Sequence, residues 1–255
     1  MTRLADADPP PSLPLFHDTA PHPCHYLPDR RAILRVAVPP SSIDAGIYGE
    51  LIRRGFRRSG EVAYRPACEV CHACVPVRVP VARFVPDRSQ RRCLKANRTL
   101  EARECPLAFF EEHYLLYQRY QASRHSGGGM EDDHREQYAQ FLLRSLVDTR
   151  LVEFRDAGRL RMVSLIDALD DGLSSVYTFF DPELPAAGLG TYGVLWQIHR
   201  CLANGWPYLY LGYWIRECRK MSYKTRFRPI EGLVGSVWLS EDSSIGQRFE
   251  RTDDR

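Results

Sequence analysis

The 255-residue chain contains no run of about 18 or more apolar residues, so no membrane-spanning helix and no membrane partner are expected. Its opening stretch, MTRLADADPPPSLP, sets acids and prolines where a secretion signal needs an apolar core, and the expected compartment is the cytoplasm. No internal repeat is visible, which excludes a repeat architecture. What remains is an ordinary globular composition, 44% hydrophobic and 26% charged, with length for one large domain or two modest ones.

Charge and thiols are unevenly spread. Between Arg53 and Arg103 there are 13 Lys/Arg against 4 Asp/Glu, and RECRKMSYKTRFR at 216–228 carries six against one. Such faces attract polyanions, nucleic acid first, although a solvated arginine-rich surface has the same composition. Eight cysteines in a reducing compartment point to metal or redox chemistry rather than a disulfide framework. Cys68, Cys71 and Cys74 form C-x2-C-x2-C, which lets three thiolates converge on one ion. A ferredoxin-type run would need a fourth cysteine after three more residues, and none is there. A tetrahedral zinc also needs a fourth ligand. Cys24 in PHPCHY is the first candidate, with Cys93 and His72 behind it. Three outcomes stay open: a structural or regulatory zinc, an iron–sulfur cluster, or reduced thiols in a tight turn. Cys105 and Cys201 read as small buried hydrophobes.

Residues 1–30 are rich in proline and are expected to be irregular. AILRVAV is a strand, and PPSSIDAGIYGELIRRG is a helix with Ser42 as N-cap and Gly55 just past its end. EVAYRPACEVCHACVPVRVPVARF predicts strand, thiol turn, strand, while SQRRCLKANRTL reads as a basic surface segment. An amphipathic helix follows over ECPLAFFEEHYLLYQRYQASRH, then a flexible SGGGM loop and a helix over REQYAQFLLRSLVD. Three β-runs joined at Asp-Ala-Gly and Asp-Asp-Gly make an antiparallel meander. GLGTYGVLWQIHRCLANG is a helix that starts at glycines, YLYLGY is a further strand, and IEGLVGSVWLS closes the fold. The expected division is a basic, cysteine-bearing region 1–104, a mixed α/β catalytic domain 105–240, and a disordered tail 241–255.

Meander, glycine-rich helix start, then strand is the order of the acetyltransferase-like (GNAT) fold, whose helix start holds an acyl donor. Backbone N–H groups there bind an anion or a polarised carbonyl, unless Gly188, Gly190 and Gly193 serve only close packing. In TAPHPCHYLPDR, the thiol segment with SQRRCLKAN, RHSGGGM, SSVYTFFDPEL with GLGTY, and YLYLGYWIRECRKMSYKTRFRP, the chain resembles the arginyl-tRNA–protein transferase family. Within it the resemblance is to the bacterial branch, the aspartate/glutamate leucyltransferases. The resemblance implies leucyl transfer from Leu-tRNA to the α-amine of proteins beginning with Asp or Glu, which marks them for degradation. It also implies a GNAT-like domain. Arginine is the alternative donor.

An aminoacyl ester is already activated, so the reaction needs proximity, a neutral amine and a stabilised oxyanion, with no cofactor required for the chemistry. Asp167, at the end of a β-run, is the candidate to hold or deprotonate the amine, against a plain turn carboxylate like Asp170 or Asp171. Tyr177 and Asp181 on the next strand and Tyr192 at the helix start are secondary candidates, against ordinary packing. Arg65, Arg78, Lys220, Lys224 or Arg226 would supply the cation for an acidic N-terminus. Arg91, Arg92, Lys95 and Arg98 suit tRNA phosphates. Two rivals remain: an acetyltransferase using acetyl-CoA, and a zinc-bearing RNA-binding module. Each leaves half of the chain without a task.

Overall fold

The computed structural model describes residues 14–124 and 135–240, so the SGGGM loop and the tail beyond residue 240 lie outside it. Within the segment expected to be irregular, β1 (Leu15–Asp18) is a strand, and β2 (His22–Pro23) pairs with β3 (Arg31–Ala32). All four β1 residues are exposed, so backbone pairing with β4 (Leu34–Val38) holds the strand and no burial pattern announces it. Helix α1 (Ala45–Arg53) starts two residues later than the sequence implies. Pro39 and Pro40 open a 3₁₀ turn that consumes Ser42, and the Asp44 carboxylate caps the helix by accepting from the Ile47 N–H at 2.8 Å. Tyr48, Leu51 and Ile52 form its buried face, and Gly55 ends it at φ +83°. β5 (Arg57–Ser59) and β6 (Val62–Pro66) complete a four-stranded antiparallel sheet in the order β1-β4-β6-β5.

The thiol loop leads out of β6 into β7 (Val75–Pro80), which belongs to a second, eight-stranded sheet. The basic segment that follows is a helix, α2 (Arg88–Ala96), fixed by a capping box in which Asp87 and Gln90 satisfy each other's backbone N–H. Only Gln90 is buried along it, so it has no apolar stripe to read. Next come β8 (Glu101–Cys105), α3 (Glu111–Arg124) and α4 (Arg135–Tyr138), the last running on as a π turn to Leu143. The expected meander is β9 (Thr149–Asp156), β10 (Arg159–Ala168) and β11 (Gly172–Phe180), followed by α5 (Leu189–Ala203) and β12 (Tyr208–Trp214). A 3₁₀ stretch over Arg219–Arg226 precedes the hairpin β13 (Glu231–Val234) and β14 (Val237–Ser240).

The large sheet runs β14-β13-β7-β12-β11-β10-β9-β8. It draws on both sides of residue 105 and sets β7 inside it, third from one edge. One face packs on α5 through Phe154, Met162, Leu195, Ile198 and Leu209. The other is shared by α3 and α4, through Tyr117, Tyr138, Leu165 and Phe179, and by α1, through Tyr48, Leu51 and Tyr210. Helices on both faces of a sheet make a mixed α/β layer structure, and the meander–helix–strand order is the one expected of an acetyltransferase-like domain.

One break in this sheet matters for function. β11 and β12 run parallel but pair at three positions only, Gly172 with Tyr208, Leu173 with Leu209, and Ser174 with Tyr210. Both strands continue, β11 to Phe180 and β12 to Trp214. A bulge at Tyr210/Gly212, with Gly212 at φ +71°, carries β12 along β7 instead. The two strands therefore part.

Candidate active site

Strand β5 holds Arg57 and Arg58 side by side, and adjacent side chains on a strand point to opposite faces. Arg58 enters the core. Its Nη2 and Nε donate to the two oxygens of Asp167 at 2.6 and 2.8 Å, a bidentate pair. The Thr149 and Tyr48 hydroxyls donate to the same carboxylate at 2.7 and 3.0 Å. Asp167 is fully buried, and each of its oxygens already accepts two hydrogen bonds. Nothing is left for an incoming amine. The expectation that Asp167 acts as the amine acceptor gives way to a positioning role: it ties β5, α1, β9 and β10 together.

Arg57 goes the other way, into the gap between the parted strands. Its Nη2 donates to the Val176 carbonyl of β11 at 3.2 Å, just past the last paired residue. On the far side it lies against Gly212 of β12, so closely that a Cβ there would sit 2.5 Å from Nε. Its guanidinium lies 5.8 Å from the centroid of the Tyr213 ring. Burial disfavours the Arg57 charge, but Tyr64, Tyr213, Tyr26 and Tyr48 around it more than compensate, so its pKa rises. Lys224, 4% exposed, donates to the Tyr213 carbonyl at 2.5 Å. Burial first, and then the Arg57 charge, hold Lys224 well below the ordinary lysine range, with Cys218 opposing weakly. Neither cation has a carboxylate partner among the described residues. Two cationic side chains without a carboxylate partner among the described residues thus lie beside Tyr213, where the two strands part.

Other candidates are placed differently. Asp181 is fully buried in a turn, accepting from Arg161 Nη1 at 2.9 Å and the Glu183 N–H at 3.2 Å. The Tyr177 hydroxyl donates to Gln121 of α3 at 3.3 Å, and its ring meets Phe141 edge-on. Tyr192 lies in the core against Phe154. Arg78 is enclosed: Nε donates to Glu231 at 2.7 Å, and the guanidinium stacks 3.5 Å from the Tyr208 centroid and 4.4 Å from that of Trp238. It fastens β7 to β13 and is not open to a substrate. At the glycine-rich helix start, a Cβ on Gly190 would meet Phe180 at 3.1 Å and one on Gly193 would meet Met162 at 3.3 Å. These two glycines serve close packing, the plainer of the two readings. Arg65 caps a small cavity of about 130 Å³ beside Arg54, Cys74, Pro76 and Tyr213. Lys220 and Arg226 are exposed, and Arg226 Nη2 donates to Ser89 of α2 at 3.1 Å.

Family models described as arginine-tRNA-protein transferase match residues 22–92 (N terminus) and 112–234 (C terminus). The aspartate/glutamate leucyltransferase of Thiobacillus denitrificans is 59% identical over 223 residues, 88% of this chain and 93% of that one. That of Nitrosospira multiformis is 55% identical over 238 residues, covering 93% of this chain and 94% of the relative. The chain belongs to the aspartate/glutamate leucyltransferase family. It is a transferase, and the match spans both halves, where each rival reading used one. Among solved structures it is similar to L-PGS from Bacillus licheniformis, at 10% identity and a TM-score of 0.41, covering 66% of this chain and 48% of that one.

On the outer surface of this leucyltransferase-family chain, α2 presents Arg88, Arg91, Arg92 and Lys95, with Arg98 just beyond. Arg92, Lys95 and Arg98 rim an open depression of about 450 Å³ with Ala96 and Thr99. None of these five cations pairs with a carboxylate among the described residues. Cys24, Cys68, Cys71 and Cys218 all lie near Cys74. Cys74 is pushed up to about 12 by burial, and these neighbours add to the shift. Cys93 is elsewhere, its thiol 3.4 Å from the Gly188 carbonyl, and His72 is exposed. Yet among the described residues no three Cys, His, Asp or Glu side chains are placed to hold a metal ion, and Arg30 donates to Cys71 at 3.3 Å. As arranged, the described thiols do not form a coordination shell.

Proposed function

We propose that this chain moves the leucyl group of Leu-tRNA to the α-amine of proteins that begin with Asp or Glu. The observation that carries the reading is the 59% identity to an aspartate/glutamate leucyltransferase over 88% of the chain. The amine nitrogen attacks the ester carbonyl, a peptide bond forms, and the carbon–oxygen bond to the ribose breaks, the ribose oxygen leaving with a proton. An α-amine has a pKa of about 7.7–8.0, so a useful fraction is neutral near pH 7 and no strong base is needed. Holding the two reactants in attack geometry supplies most of the acceleration. The unpaired cations of α2 suit the tRNA backbone. The reading places the protein in the cytoplasm, and no helix among the described residues is long and apolar enough to cross a membrane.

The experiment compares [14C]Leu-tRNA with [14C]Arg-tRNA as donors to peptides starting with Asp, Glu or Ala. Label from Leu-tRNA on Asp and Glu alone supports the reading. Arginine label moves the chain to the arginyl activity named by the family model, and no label from either donor overturns the reading.

A further inference from the structure

Selectivity for an acidic first residue requires a cation that meets a side-chain carboxylate away from bulk water. Four of the five cations considered above for this role are poor seats. Arg78 is closed in by Glu231 and aromatic rings, and Arg226 and Lys220 lie on the exposed surface. Arg65 lies over the Phe56 ring with its Nη1 donating to the Arg54 carbonyl at 3.2 Å.

We propose that Arg57 and Lys224 together form the seat for the carboxylate of the acceptor's N-terminal Asp or Glu. The inference rests on the transfer reading above and adds where its selectivity resides. Both cations rest on Tyr213, one over its ring and the other on its carbonyl. Lys224 has three N–H donors, and one backbone carbonyl is its only hydrogen-bond acceptor among the described residues. A buried ammonium without a counter-ion is costly unless a ligand supplies the charge. Arg57 occupies the place where β11 loses its partner strand, and its side chain is only partly buried there. Around the two cations stand Tyr26, Tyr64 and Tyr213, with Tyr223, itself 42% exposed, 5.9 Å from Lys224 Nζ; none of these groups is a carboxylate. A polyanion backbone fits the exposed α2 face better than a site whose cations are partly or wholly buried. An isosteric Asn or Gln would leave both cations unpaired, which is a strong basis for rejection.

The test measures transfer from Leu-tRNA to Asp- and Asn-initiated peptides by the full chain and by Lys224→Met and Arg57→Gln. The expected result is a KM for the Asp peptide raised at least about 30-fold in each variant. The KM for Leu-tRNA should stay within about twofold, and the preference for Asp over Asn should shrink in step. A rise in the Leu-tRNA KM with Asp preference intact would show that the gap takes a tRNA phosphate, and the seat is refuted. If a variant does not fold, the unaltered protein decides. Its three lysines are Lys95, Lys220 and Lys224, so labelled lysine side chains give few NMR signals. The Lys224 signal must respond to the Asp peptide and not to the Asn peptide; equal response to both overturns the seat. Wild-type protein that transfers leucine to no acceptor removes the transfer reading and the seat together, whereas retained transfer with unchanged selectivity removes the seat alone.

Discussion

Replacing Asp167 with alanine should cost this protein stability far more than chemistry. The carboxylate is fully buried, its partner Arg58 is 3% exposed at the side chain, and four hydrogen bonds end on its two oxygens. Removing one member of such a pair leaves an uncompensated buried charge, at a cost of about 3–5 kcal/mol. For a chain of this size each kcal/mol lowers Tm by about 2–4 °C, so Asp167→Ala should lose about 6–20 °C. Pairing it with Arg58→Met removes the stranded charge and should recover a large part of the loss, a coupling that a double-mutant cycle reads directly. Below the transition, the folded fraction should keep its kcat within about tenfold, because a positioned base would contribute about 10²–10⁴. Thermal unfolding and single-turnover transfer would be measured on the same samples. Unchanged stability together with a kcat loss of about a hundredfold or more would refute the anchor and restore Asp167 as the base.

Reversing charge at Arg92 or Lys95 should raise the KM for Leu-tRNA and reduce the slope of log affinity against log salt by about 0.7–0.9 for every phosphate no longer neutralised. The acidic-peptide KM should stay unchanged. Gly212→Ala would place a Cβ 2.5 Å from Arg57 Nε at a residue held at φ +71°, so it should raise the acidic-peptide KM and cost about 1–2 kcal/mol in thermal unfolding. Because the Lys224 pKa is depressed, the free seat loses its ammonium as pH rises through that lowered value. The acceptor KM should therefore climb on the alkaline side, and Lys224→Arg, always charged, should abolish the climb. Cys74, with its thiol at about 12, should react with iodoacetamide roughly a thousandfold more slowly at pH 8 than an ordinary thiol, as peptide mass spectrometry would show.

The elements legible in the sequence are those whose period is dictated by burial. The meander, α3 and α5 each bury one face of a long apolar pattern, and Asp-Gly or Gly breaks mark their ends. Helix α2 hides because a row of arginines covers a face on which only Gln90 is buried. A serine ahead of the helical pattern suggests the Ser42 cap, but the prolines before it stop the chain from entering the helix there. The site is harder to read. Asp167 looks available because its partner lies 109 residues away, and separation along the chain carries no signal of pairing. Arg57 and Gly212 escape notice for the same reason, while the charge of its surroundings picks out Lys224. The one local hint is RRS on a strand that opens just after Gly55 and Phe56, where two arginines on a short strand must face opposite ways.

The place of β7 in the large sheet has a consequence for how the protein is made. The strand ends at Pro80, yet its two neighbours are β12, which begins at Tyr208, and β13, which begins at Glu231. During synthesis from the N-terminus, more than a hundred residues must leave the ribosome while both edges of a Val-rich strand wait unpaired. A nascent chain stalled before Tyr208 would carry those open edges, and chaperones should bind it more than the finished protein.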